Sequence, residues 1–108
     1  MGRRRADPLV LTAEAVRLLA TGEHGIKPRL LAAYVQKLQH VNAADIPAEL
    51  APLLAAIHKR LGHAADQTVH ENTVAAKSAL DRMSPAQAVG LARRIVAFNE
   101  VFAGSLYH

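Results

Sequence analysis

Between residues 28 and 41 apolar side chains return every three or four positions, as Leu30, Leu31, Tyr34, Val35, Leu38 and Val41, with Arg29, Gln36, Lys37 and His40 on the other side. At about 100° per residue the six apolar positions fall within an arc of about 140°, which is the pattern of a helix with one buried face. No stretch alternates apolar and polar residues with period two for long. Alanine and leucine are abundant and β-branched residues are a minority, so helix is favoured throughout. The expected fold is all-α, a compact four- to five-helix bundle in a single domain.

Local signals divide the chain into five predicted helices. Asp7-Pro8, an N-cap followed by a proline in the first turn, opens the first, with Thr12 as a second candidate cap; it runs to Ala20 or Thr21. The glycines around His24 read as a loop, and Pro28 opens the second helix. Asp45 is expected to cap the third, whose stripe is Ile46, Leu50, Leu53, Leu54, Ile57 and Leu61, with a kink or restart at Pro52. His58, Lys59 and Arg60 followed by Gly62 mark its end. A fourth helix is expected from near Asp66 to about Met83, burying Val69, Thr73, Ala76, Ala79, Leu80 and Met83. The most specific signal is Ser84-Pro85-Ala86-Gln87: a serine N-cap, a proline in the first position and a glutamine reaching back as in a capping box. The fifth helix then runs to Gly104 or Leu106. Residues 1–6 read as a disordered basic tail and residues 7–108 as the bundle.

The fifth helix carries more apolar surface than an ordinary surface helix needs. Ala88, Val89, Leu91, Ala92, Ile95, Val96, Phe98 and Phe102 span about half its circumference. Either it is central to the bundle or its surplus meets another protein, and Leu91, Ile95, Phe98 and Phe102 are the expected interface residues. Asn99 falls in the middle of that arc and Asn72 within the apolar arc of the fourth helix. A buried amide without partners costs about 1–3 kcal/mol, so each has to find one. If the two helices fold back about Ser84, Asn72 and Asn99 come within one turn of each other and are expected to pair. The competing reading sets Asn99 against the same residue of a second subunit, and the tight junction at Ser84 leaves a steep departure of the fifth helix as a further alternative.

Composition narrows the function classes. A domain of 108 residues buries roughly 60–65% of the surface its unfolded chain exposes, enough to fold without staples. The chain has no cysteine, which excludes disulfides, thiolate nucleophiles and thiolate zinc sites, and points to the cytoplasm. No apolar run approaches the roughly 18 residues of a membrane span, so a soluble chain with no membrane partner is expected. The net charge of +4 lies mostly in Arg3, Arg4 and Arg5, which leaves the rest of the chain nearly neutral. Three exposed arginines can neutralise about three phosphates, for a salt slope of roughly −2.7, and such arms enter minor grooves in some DNA-binding domains. A helix-turn-helix over Pro28 to Leu61 would have to read bases with a face of alanines, Pro52, His58 and Lys59, a poor surface for that task.

Candidate chemistry concentrates in residues 58–71, where His58, His63 and His70 stand with Asp66 and Glu71. There is no HExxH, and the three histidines belong to three different segments, so their spacing does not demand a metal; Asp66 and His70, four apart, could supply two ligands with His63 or Glu71 as a third. The expectation is no metal and no cofactor: His58 complements a helix C-terminus, His63 lies in a turn, and His70 is solvated beside Asp66. No serine sits in a G-x-S-x-G or S-x-x-K context, no glycine loop could cradle phosphate, and no catalytic residue is assigned. The expected function is a small non-enzymatic module that binds a protein partner or itself through the fifth helix or the face of the second. The alternative is a DNA-associated protein using the Arg3, Arg4 and Arg5 arm, and a third reading is an enzyme built on His58, His63 and His70.

Overall fold

Prolines and hydroxyl side chains set where the helices begin. In the computed structural model, which describes residues 7–21 and 25–105, α1 spans Pro8–Thr21 and Asp7 Oδ1 accepts the Leu9 N–H at 2.9 Å. The tail at residues 1–6, including Arg3, Arg4 and Arg5, lies outside the described residues, as does the center of the predicted first loop. Helix α2 is Ile26–Gln36, with Pro28 in its first turn, where a backbone N–H has no intrahelical partner to lose. The Arg29 guanidinium reaches back to the Leu19 carbonyl at 2.8 Å and so ties the end of α1 to the start of α2.

Between residues 37 and 50 the chain departs from the predicted pattern. Lys37 leaves helical geometry and Leu38–His40 tighten into a 3₁₀ turn, so α2 stops at Gln36. The apolar stripe survives the change, because Leu38 and Val41 are still buried. Asn42, not Asp45, caps the next 3₁₀ turn, Ala43–Asp45. Pro47 holds Ile46 extended (φ −123°, ψ 162°), which forbids a helix start there. After a third 3₁₀ turn at Ala48–Leu50, α3 runs over Ala51–Arg60 with Pro52 in its first turn: the proline is a restart, as one of the two expected outcomes. Leu53, counted in the stripe, is exposed, while Leu54, Ile57 and Leu61 are buried.

Gly62 closes α3. Its φ is +68°, its N–H donates to the Lys59 carbonyl at 3.1 Å, and the His63 N–H donates to the His58 carbonyl at 2.9 Å, a Schellman pair that satisfies two terminal carbonyls. Helix α4 is Val69–Arg82 and its cap is Thr68, two positions after the residue expected to open it. Thr68 Oγ1 accepts the Glu71 N–H at 3.1 Å, and Glu71 Oε1 accepts the Thr68 N–H at 2.9 Å. That backbone bond, with the threonine hydroxyl second, holds the Glu71 carboxyl below its usual range. The buried face is therefore Asn72, Ala76 and Leu80, while Val69 is exposed and Thr73 only half-buried. Helix α5, Pro85–Ser105, opens as expected: Ser84 Oγ accepts the Gln87 N–H at 3.1 Å and Gln87 Oε1 accepts the Ser84 N–H at 2.9 Å.

The architecture is all-α, with no strand among the described residues. Helix α2 is the hub, packed against α1, α4 and α5, and α5 lies against α1, α2 and α3. Leu30, Ala33 and Tyr34 of α2 are wholly buried in the same core as Leu91, Ile95 and Phe98 of α5, and the Phe98 and Phe102 rings meet edge to face at 6.0 Å. The radius of gyration is 13.4 Å, that expected of one compact unit of this length. Helix α4 packs on α2 rather than along α5, so the chain makes no hairpin about Ser84. Among the described residues no helix is long and apolar enough to cross a membrane.

The Gly62 cap gives a direct test. A Cβ there would lie 3.1 Å from that of Ala75 on top of the left-handed backbone penalty. Gly62→Ala is expected to lower stability by about 1–2 kcal/mol in urea denaturation, and Ser84→Ala by about 1 kcal/mol.

Candidate functional site

Two of the three clustered histidines come together, and the residue that joins them is one the sequence reading placed only in a core stripe. Tyr34 has no exposed surface, and burial raises its phenol to about 12, so it keeps its proton and must donate it. Its hydroxyl hydrogen-bonds His63 Nδ1, which leaves the neutral His63 ring protonated on Nε2. His63 stacks on His58 with ring centroids 4.0 Å apart and planes inclined by 32°. The Tyr34 ring meets both imidazoles edge-on, at 6.3 Å for His58 and 5.8 Å for His63. His58 Nε2–H donates to the Leu38 carbonyl at 3.0 Å, an oxygen that also takes the Val41 N–H at 3.1 Å in the 3₁₀ turn after α2.

Both rings are held neutral. Burial is the main cause for His58, bringing it down to about 4; the Leu38 carbonyl opposes this and the neighbouring His63 adds to it. Burial also lowers His63. His70 is not part of the group: it stands exposed in the first turn of α4. A cleft of about 330 Å³ beside the pair is bordered also by His40, Asn42, Gln67 and Asn72. Among the described residues no three His, Asp or Glu side chains are placed to hold a metal ion, and every buried side-chain polar atom has a hydrogen-bond partner. One nitrogen of each imidazole thus fastens the α3–α4 loop and the end of α3 to α2 and the turn that follows it.

The two core amides have partners other than each other, a correction to the expected Asn72–Asn99 pair. Asn72 Oδ1 accepts the Ala64 N–H at 3.0 Å and its Nδ2 donates to the Ala64 carbonyl at 3.3 Å, pinning the α3–α4 loop to α4. Asn99 Oδ1 accepts from Thr12, a wholly buried hydroxyl that shares its proton between Asn99 at 2.9 Å and the Leu9 carbonyl at 3.0 Å. Because α4 turns away from α5, each amide meets what lies opposite its own helix.

Leu91, Ile95, Phe98 and Phe102, expected at an interface, are all buried in the chain's own core, because α5 is enclosed by α1, α2 and α3. The surface that α5 leaves open is the opposite side. Gly90, Ala97 and Gly104 recur there at intervals of seven, close to two helical turns, flanked by Arg93 and Glu100 on one side and Arg94 and Val101 on the other. Two grooves of about 350 Å³ run beside this ridge and share Ala97. One is lined chiefly by Val16, Leu19, Ile26, Val89, Ala92 and Val96, and the other by Leu53, Ala56, Ile57 and Val101. Val89 and Val101 are 39% and 51% exposed. A Cβ at Gly90 would meet nothing within 4 Å, so the fold itself does not need glycine there, and glycine inside a helix costs about 1 kcal/mol relative to alanine.

Two measurements probe these assignments. Because the folded-state His58 lies below its unfolded value, the stability it contributes is complete above pH 6.5 and is lost as pH falls from there toward 4, by about 2–3 kcal/mol at most. Urea unfolding is expected to show that decline, and a flat curve between pH 6.5 and 4.5 would mean the ring is not held neutral. In double-mutant cycles Thr12→Val and Asn99→Leu should couple by about 1 kcal/mol, whereas Asn72→Ala and Asn99→Leu, which share no partner, should add within about 0.5 kcal/mol.

No protein-family model, curated protein or solved structure matches this chain, so its function has to be read from the geometry alone.

Proposed function

We propose that the chain is a non-enzymatic interaction module whose binding surface is the outer side of α5. The observation that carries this reading is the pair of apolar grooves meeting at Ala97. Together they join side chains of α1, α2, α3 and α5 into one apolar strip, and such strips on a small protein mark a place where another protein sits. The strip follows α5 from Val89 to Val101, about 18 Å, which is the length of three helical turns. Its shape suits an apposed helix laid into a groove. Arg93, Arg94 and Glu100 rim it with both signs of charge and would set register and partner choice more than affinity. The histidines are a poorer candidate for chemistry, since each has one ring nitrogen engaged by Tyr34 or Leu38 and no third His, Asp or Glu among the described residues joins them in a metal-holding group.

A photoreactive side chain placed at Ala97 tests the reading in cells that make the protein. It is expected to give a discrete covalent adduct with another polypeptide, whereas the same probe at Lys77, exposed on α4, gives none. Val101→Glu, which puts a charge in the strip, is expected to abolish the adduct. If the Ala97 probe labels nothing, the outer side of α5 is not a docking surface and the reading fails.

A further inference from the structure

Resting on that reading, we infer that the partner is a second copy of this chain, docked through an antiparallel α5–α5 contact whose two-fold axis passes beside Ala97. The exposed face of α5 reads alike in the two directions. Gly90 and Gly104 stand seven residues to either side of Ala97. An axis at Ala97 therefore sets Ala97 on its own copy and Gly90 level with the partner's Gly104. Three small residues along about 21 Å of helix then allow the two backbones to come close together. This accounts for the glycine at position 90, where the space around the missing Cβ is empty within one chain.

Charge follows the same symmetry. Arg93 lies four residues before Ala97 and Glu100 three residues after it, and both border the groove on the α1 side. A two-fold axis perpendicular to an antiparallel pair places like flanks together. Arg93 then falls within one residue rise, about 1.5 Å along the axis, of the partner's Glu100, and the contact is made twice. On the other flank Arg94 lies opposite the partner's Val101, where its alkyl stem covers apolar surface. A face made for an unrelated helix has no need for charges of opposite sign on one flank at equivalent heights about a central small residue; a face made for itself does.

Sedimentation velocity of the full chain, from low micromolar to near-millimolar concentration, is the test. The unmodified protein is expected to move from one to two chains across that range. R93E and E100R each set like charges against each other twice and should weaken association at least about ten-fold without changing the helical signal, since both side chains are exposed. The double variant R93E/E100R restores opposite charges and should recover the dimer. The chain has no cysteine, so Ala97→Cys introduces a single thiol at the axis. It should form a disulfide-linked dimer under mild oxidation, whereas Lys77→Cys should not. A strict monomer at near-millimolar concentration, or a dimer indifferent to R93E and not restored by the double variant, overturns the proposal. In the first case the Ala97 photoprobe separates the two claims: an adduct with a different protein leaves the interaction module standing and removes self-pairing, and no adduct removes both.

Discussion

A phenol hydroxyl enclosed by a helical bundle must give its proton to something, and the requirement at Tyr34 organises the middle third of this chain. Helix α2 is only eleven residues long, too short to persist alone in water, and it is kept by what surrounds it. Tyr34 sits on its fully buried side, so the acceptor has to be brought in from elsewhere. His63 brings it, and it reaches that position because Gly62 turns the chain sharply at the end of α3 and His58 offers a flat ring to stack upon. His58 in turn adds a second hydrogen bond to the carbonyl of Leu38. One buried hydroxyl, one left-handed glycine and two neutral rings thus connect α2, α3 and the loop into α4. Removing the Tyr34 hydroxyl or the His63 ring would leave the other without its hydrogen-bond partner.

How much of this was legible depends on how far along the chain the deciding interaction reaches. The capping boxes and the glycine cap are local. Ser84 with Gln87 and Gly62 behind its cations could be read directly, and Thr68 with Glu71 carried the same signal for the start of α4. Asp66 competed as a cap, and choosing it carried Val69 and Thr73 onto the buried side. The early end of α2 has a local cause only in part, since Leu38 and Val41 keep helical spacing and nothing in their identity announces a 3₁₀ turn. Pro47 did mark the delay before α3, by forbidding helical geometry at Ile46.

The unreadable part is the direction in which one helix leaves another. Five apolar stripes can be packed together in several ways, and the expected Asn72–Asn99 bond assumed a hairpin at Ser84. With α4 laid on α2 instead, Asn72 serves the Ala64 backbone and Asn99 serves Thr12. The rule that each buried amide must be satisfied held in both places, but which groups would do so followed from an angle that no local pattern encodes. The same angle decides the fate of the phenylalanines. A helix enclosed by α1, α2 and α3 uses its widest apolar arc inside the chain, so the richest hydrophobic stretch in the sequence lies in the core.

Helix α5 is consequently under two demands at once. Its inner side carries Leu91, Ile95, Phe98 and Phe102 and holds the core together. Its outer side gives up side chains at Gly90 and Gly104 and offers only alanine and valine between charged residues. A chain selected for the stability of its monomer would fill position 90, where nothing obstructs a methyl group and alanine favours the helix by about 1 kcal/mol. Keeping glycine there makes sense if the missing Cβ matters to something outside the chain, because bare backbone permits a closeness between helices that any side chain would prevent. The amphipathic pattern of α5 thus conceals a second pattern, of size instead of polarity, and that second pattern is where the function of this fold is best sought.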